Sequence, residues 1–377
     1  MRAGDLLEVQ EFMADRLQIG IVGAGMMGRE HIRNLKLLPQ VQIAALADPV
    51  DGSIAKTLQT IGSVDRPVAT YATVEAMLAG SRLDAVLIVS PNFTHRAVLE
   101  PLFATNIAIL CEKPLCATVG DARWVAQRAA ARDAVFWTGM EYRFMPPVAR
   151  FVERVHAGEL GRLAMLSIRE HRFPFLVKVG DWNRFNRNTG GTMVEKCCHF
   201  FDLMRLIVGR DPVSVFCSGA MDINHLDERY GGERPDIIDN SYTVVDFEGG
   251  VRAMLDLCMF AEGEEQQEAV AAVGDRAKLE VTIPGGDLVF SPRVGFGQPK
   301  AVTRTHVPVE AAALAAGTHH GSTFFQLQAF IDAVRGHGPV RVTADDGLRA
   351  VIIGAAAELS AREKRVVRID EIAATPD

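Results

Sequence analysis

The chain has 377 residues, 48% hydrophobic and 23% charged, with a formal net charge of −7. That length exceeds one ordinary core and predicts two domains, the acidic balance excludes a dedicated nucleic-acid binder, and no apolar run approaches the roughly 18 residues that span a bilayer. Cys111, Cys116, Cys197, Cys198, Cys217 and Cys258 show no Cys-x-x-Cys spacing, so neither a disulfide framework nor a zinc ribbon is expected, and reduced thiols point to a cytoplasmic protein.

Residues 1–16 carry acids and bases without an apolar core and do not read as a secretory signal. They are either a frayed extension, with Met13 as the start, or an arm used in assembly. From residue 17 to about 141, apolar strand runs alternate with helix-like segments. The strands are expected at Gln18–Val22, Gln42–Ala47, Ala85–Ser90, Ile107–Cys111 and Val135–Gly139, with helices such as Gly28–Leu38, Val74–Leu78, Thr94–Thr105 and Val119–Ala131 between them. This alternation predicts a parallel sheet covered on both faces, a Rossmann-type domain.

The first strand feeds Gly23-Ala24-Gly25-Met26-Met27-Gly28. Gly23 permits the tight turn, Gly25 lets the backbone approach a pyrophosphate, and Gly28 lets the helix pack close to the strand. The helix N-terminus then offers free N–H groups to phosphates. Asp48 stands twenty residues beyond Gly28, where a carboxylate accepts from ribose hydroxyls and repels a 2′-phosphate. Pro49, Val50 and Asp51 supply no arginine, so NAD is favoured over NADP. Two further clusters follow strand ends: Ser90-Pro91-Asn92-Phe93-Thr94-His95, with Ser90, Pro91, Asn92 and His95 assigned to the cofactor, and Cys111-Glu112-Lys113-Pro114, with Glu112 and Lys113 assigned to it as well. In the latter, Pro114 biases Lys113 toward extended backbone and so aims its ammonium off the strand end into the crevice.

Residues 142–377 read as a second α/β domain with a large, open, mostly antiparallel sheet that binds substrate and mediates assembly. A helix at Pro147–Ala157 leads into strands at Leu163–Arg172, Val213–Ser218, Ser241–Phe247, Val251–Phe260, Ala269–Val273 and Lys278–Ile283. Helices at Gly191–Leu206, Thr323–Arg335 and Asp345–Glu363 complete it. An open sheet with an apolar face needs cover, so a partner is expected. Tyr142 and Arg143 are placed to contact nicotinamide or substrate. The stretch from Glu170 to Asn188 is rich in guanidinium groups, amides and rings, which makes Arg172, Trp182 and Asn183 candidate contacts for a polyhydroxylated ligand; His319 and His320 are weaker candidates. Glu195 and His199 are four apart, so they share one helix face, which Asp202 extends. A carboxylate beside an imidazole orients it and tunes its basicity. No metal site is expected, because helical spacing carries Cys197 and Cys198 away from the Glu195–His199 face.

Together, the glycine turn, Asp84-Ala85-Val86 running to His95, Glu112-Lys113-Pro114, the Gly190-Gly191 block and Asp345-Asp346-Gly347-Leu348 running to Ser360-Ala361 resemble the Gfo/Idh/MocA family of NAD(P)-dependent oxidoreductases, which includes inositol dehydrogenases. The resemblance covers nearly the whole chain after residue 16. It implies catalytic roles for Lys113, Glu195 and His199, and burial of the second domain's free sheet face in a dimer or tetramer. The family's acid is usually aspartate, whereas Glu195 is one methylene longer, and Lys196-Cys197-Cys198 replaces small, apolar residues; the cysteines read as packing residues. The reaction implied is oxidation of a secondary alcohol on a cyclitol or pyranose, with His199 as base and Lys113 stabilising the alkoxide. Two alternatives share this layout: a glycosidase or lyase that retains NAD, and a non-catalytic NAD or sugar sensor.

Overall fold

Leu17–Val22 (β1) begins a six-stranded parallel sheet with Val41–Ala47 (β2), Ala69–Tyr71 (β3), Ala85–Ile88 (β4), Ala108–Glu112 (β5) and Phe136–Gly139 (β6), in the order β3-β2-β1-β4-β5-β6. The computed structural model describes residues 16–63 and 66–374, so the expected N-terminal extension lies, apart from Arg16, outside the described residues. Helices Met26–Leu35 (α1), Asp51–Ile61 (α2), Val74–Gly80 (α3), His95–Leu102 (α4) and Val119–Ala130 (α5) make the crossovers. The chain reverses direction across the sheet between β1 and β4, whose ends Val22 and Ile88 are paired. A crevice opens at such a switch point, beyond the carboxyl ends of the strands. β4 is buried throughout, as a strand covered on both faces requires.

Helix Pro146–His156 (α6) leads into a second sheet of nine strands: Leu163–His171 (β7), Pro212–Ala220 (β8), Asn240–Phe247 (β9), Arg252–Cys258 (β10), Glu268–Gly274 (β11), Ala277–Ile283 (β12), Asp287–Pro292 (β13), Thr303–His306 (β14) and Val367–Arg368 (β15). Their order is β14-β13-β12-β11-β7-β10-β9-β8-β15, and β7 with β10 is its parallel pair. The alternation of β9, with every second residue buried, turns Val245 and Phe247 toward the helices. On the opposite face Phe216, Val244 and Met254 stand side by side in register, all exposed.

The one long helix expected at Gly191–Leu206 is broken. Thr192–Glu195 (α7) ends at Lys196, and Cys198–Val208 (α8) starts afresh. At the break the Cys197 N–H reaches back five residues to Thr192 O, and Glu195 O accepts from Lys113 Nζ at 3.0 Å. Glu195 and His199 therefore do not share a helix face. Ser322–Val334 (α9) returns to the first sheet, where Leu327, Phe330 and Ile331 close the core beneath Ile19 and Leu87.

Ala344–Glu363 (α10), capped by a reciprocal Thr343–Asp346 box, runs between the halves. Gly354 lets it touch the α7 backbone, since a Cβ there would lie 2.7 Å from Met193 O. Gly354→Ala should cost about 1–3 kcal/mol by overpacking, read as a lower denaturation midpoint with unchanged slope.

Candidate active site

The glycine turn has the three shapes its spacing predicts. Gly23 has φ +106°, and a Cβ on it would lie 2.6 Å from Val89 O; one on Gly28 would lie 2.2 Å from Gly23 O. Gly25 instead faces open space, with nothing within 4 Å of its would-be Cβ. The N-terminus of α1 has neither a side-chain cap nor an acid in its first turn, which leaves its N–H groups to an anion. Ala24 and the exposed Met26 flank this open side, with Met27 half-buried behind. Asp48, just past β2, accepts from the Ala24 N–H at 2.7 Å and the Val50 N–H at 2.8 Å. It braces the turn while standing at the ribose position. These residues fit a dinucleotide.

Several residues expected at the ligand are committed inside the protein. His95 is fully buried, its ring nitrogens 3.1 Å from Ser90 O and from Pro114 O. It ties the Ser90–His95 loop to the Lys113 loop, with no face left for the cofactor. Ser90 accepts from Thr94 Oγ1, which also bonds Pro91 O. Glu112 turns inward: Oε1 lies 2.8 Å from His31 Nε2, and Oε2 accepts from the Lys113 N–H. Burial opposes ionisation of Glu112, but the hydrogen bond and charge of His31 outweigh it and lower its pKa. Arg143 is likewise diverted. Its guanidinium is buried against Asp202 and Asp346 and bonds Arg341 O. Asp202 therefore anchors Arg143 and does not extend a catalytic face. Asn183 is buried, with its amide on Leu176 O at 3.1 Å, and it shapes a loop from within.

Lys113, Glu195, His199 and Tyr142 do converge. Burial opposes the charge of Lys113, yet its pKa is raised. The Cys198 thiol cannot supply that stabilisation, because burial pushes it up to about 12 and keeps it neutral. The carboxylates of Glu195 and Glu112 do so. The Glu195 carboxylate accepts from Asn92 Nδ2, so it braces the cofactor-side loop and does not orient His199. The His199 ring stacks on Tyr142 at 4.1 Å between centroids and 8° between planes, and its Nδ1 is sealed without a partner. Burial, then the charges of Lys113, Lys196, His319 and Arg172, hold its pKa well below 6.5.

Behind this group lies a network that the sequence did not announce. Lys196 Nζ reaches Tyr142 Oη at 2.6 Å and Glu170 Oε1 at 2.8 Å. Glu170 sits opposite Glu268 across β7 and β11, and burial, then this like charge, pushes Glu268 up to about 7. Arg172 lies 3.4 Å from Glu170 and over the Phe173 ring. Trp182 meets Phe93 edge-on at 6.1 Å. His319 pairs with Glu30 at 2.6 Å, and His320 stands 3.9 Å from Glu268. A histidine within the buried side of α1 was the one visible hint of His31; a lysine beside two cysteines gave none for Lys196. Among the described residues no group of His, Cys, Asp or Glu has metal-binding geometry.

Comparison with known proteins gives two family matches. The Gfo/Idh/MocA model described as "Oxidoreductase family, NAD-binding Rossmann fold" matches residues 17–140, and its companion, "Oxidoreductase family, C-terminal alpha/beta domain", matches 152–369. The chain is 28% identical to the rhizopine catabolism protein MocA of Rhizobium meliloti over 359 residues, 92% of this chain and 96% of that protein. It is 25% identical to a myo-inositol 2-dehydrogenase of Thermotoga maritima over 362 residues, 94% and 99% of the two chains. In fold it is similar to a levoglucosan dehydrogenase solved with NADH and levoglucosan, with TM-score 0.79, 16% identity, and coverage of 94% of this chain and 99% of that one.

NAD is the cofactor of this fold, and Asp48 braces the glycine turn that would meet it. Asp48→Ala should therefore weaken NADH binding roughly tenfold, the scale of one hydrogen bond to a charged group, while narrowing the preference over NADPH. Fluorescence titration of both cofactors checks this; unchanged NADH affinity would separate Asp48 from the turn.

Proposed function

The chain belongs to the Gfo/Idh/MocA oxidoreductase family, and from that premise we propose that it oxidises a secondary hydroxyl of a cyclitol or pyranose, with His199 as base and Lys113 as alkoxide stabiliser. NAD, when bound, supplies the hydride acceptor. The observation that carries the assignment is geometric: a lysine ammonium fixed on the Glu195 carbonyl and a buried imidazole laid flat on Tyr142 with no anionic partner, surroundings that favour a charged Lys113 and a neutral His199. A neutral His199 accepts the hydroxyl proton, and its sealed Nδ1 leaves Nε2 as the accepting nitrogen. Lys113 stabilises the oxyanion that develops, and in a dry site such a contact counts for far more than in water. The Glu195 carbonyl fixes the lysine and its carboxylate fixes Asn92, so Glu195 is a positioning residue. The names of the inositol dehydrogenase relatives agree with a polyhydroxylated substrate, and Trp182 beside Phe93 supplies an aromatic wall.

Lys113→Ala and His199→Ala should each reduce alcohol oxidation roughly a hundredfold or more, with NADH binding retained; near-normal turnover by His199→Ala would assign the base elsewhere. Net accumulation of NADH separates this reaction from a hydrolase that retains its cofactor. The pH profile gives an independent reading. A base works uncharged, and a depressed pKa keeps His199 uncharged as pH falls through 6.5. The kcat/KM profile should therefore show no acid limb at that pH.

The second sheet supports assembly. Met165, Phe216, Tyr242, Val244 and Met254 are exposed on strands β7 to β10, and a second copy covering that face would bury them. Sedimentation should show a dimer or tetramer at micromolar concentration, and Met254→Asp with Val244→Asp should shift it toward monomer; a monomeric parent protein would refute this.

A further inference from the structure

Lys178 lies in the loop between β7 and the Asp181–Arg184 turn, and its burial runs against its chemistry. Its neighbours Leu176, Val177 and Val179 are exposed, Val177 to 76%, while the lysine is half-buried. An ammonium that gives up part of its hydration loses stability unless a partner compensates it. Yet among the described residues Lys178 has no hydrogen bond from its ammonium and no carboxylate within ion-pair distance.

The loop is held over the reaction centre by contacts that do not involve Lys178. Asn183 clasps Leu176 O from inside, Arg184 bonds Phe175 O and Glu228, and Trp182 packs on Phe93, next to the Asn92 that binds Glu195. The ammonium consequently feels Glu195, Lys113, Glu112 and Arg172 together. Burial first, with Lys113 and Arg172 adding to it, lowers its pKa against the pull of the two carboxylates.

The nearby acids are already engaged. Glu195 holds Asn92, Glu112 holds His31, and Glu170 holds Lys196 and Arg172. Lys113 is balanced by Glu195 and Glu112, so Lys178 is the cation left over. One ammonium without a carboxylate partner at this space favours a negative ligand. A neutral hydroxyl would accept one hydrogen bond but would leave that charge uncompensated.

We propose that Lys178 is a specificity-determining residue that receives a carboxylate of the substrate, so that the preferred substrate is a sugar acid and not a neutral polyol. This deepens the dehydrogenase reading above and rests on it for the location of the reacting hydroxyl.

Equilibrium binding separates this inference from the assignment of the base. The NADH-loaded protein is titrated calorimetrically with glucuronate against glucose and with galacturonate against galactose. At least one acid should bind about tenfold or more tightly than its neutral partner, as expected for a charge-assisted bond in a partly dry site. Lys178→Met should erase that preference and Lys178→Arg should restore most of it. His199→Ala should keep the preference while losing turnover, so failure of the base assignment leaves this result standing. Unliganded Lys178→Met should melt no lower than the parent protein, because an unpaired half-buried ammonium is being removed. Parity of acid and neutral sugar in every pair, absence of binding by all four, a preference that survives Lys178→Met, or a lowered melting temperature in that variant would each overturn the proposal.

Discussion

The hydrogen bond from Lys113 Nζ to Glu195 O is the contact on which the active site depends. It joins the end of β5 in the parallel sheet to the break between α7 and α8 in the second half. The carbonyl it uses would, in an unbroken helix, accept from the His199 N–H. The carbonyl meets the lysine where the helix breaks, and Glu195 and His199 fall on separate helices. His199 is then free to lie flat on Tyr142. One ammonium thus ties the end of β5 to the break after which His199 begins its own helix.

Charge burial around that contact is handled by pairing. Glu112 has His31, Arg143 has Asp202 and Asp346, Lys196 has Glu170, and Glu30 has His319. Removing one member of such a pair typically costs about 3–5 kcal/mol, because the other is left charged and dry. His199 is the contrasting case. It is buried among cations without an anionic partner, and it responds by remaining neutral. The state a base needs is therefore a product of its surroundings and requires no orienting carboxylate.

Shape at the cofactor turn follows from absent side chains. Gly23 and Gly28 are glycine because backbone carbonyls occupy the place of a Cβ, whereas Gly25 is bare toward open space. The first two build the turn, and the third leaves room for a phosphate. Gly354 repeats the first kind of role at a distance, bringing α10 against the backbone of α7. The long helix thereby supports the segment that carries Glu195.

The sequence by itself determined what short-range pattern can carry: the alternation of apolar strands with helices, the glycine turn with Asp48, and the Glu-Lys-Pro and glycine–acid–histidine blocks that mark the family. Each rests on neighbours within a few residues, where sterics and periodicity act. It missed β3, three half-buried residues at a sheet edge, and α2, whose Gly, Ser and Thr residues blur its period. Only the tertiary structure decided which polar side chains face a ligand and which face each other. Arg143, His95, Asn183 and Glu112 have the right chemistry for a site and stand close to it in sequence, but their partners are other groups of the protein: buried acids for Arg143, backbone carbonyls for His95 and Asn183, and His31 for Glu112. Lys196 and Lys178 carry no sequence signal that sets them apart, and the fold brings both near Lys113. A charged group is oriented by whichever partner desolvation leaves within reach, and over separations such as the 59 residues between Arg143 and Asp202 that partner is chosen by the packing of the two sheets.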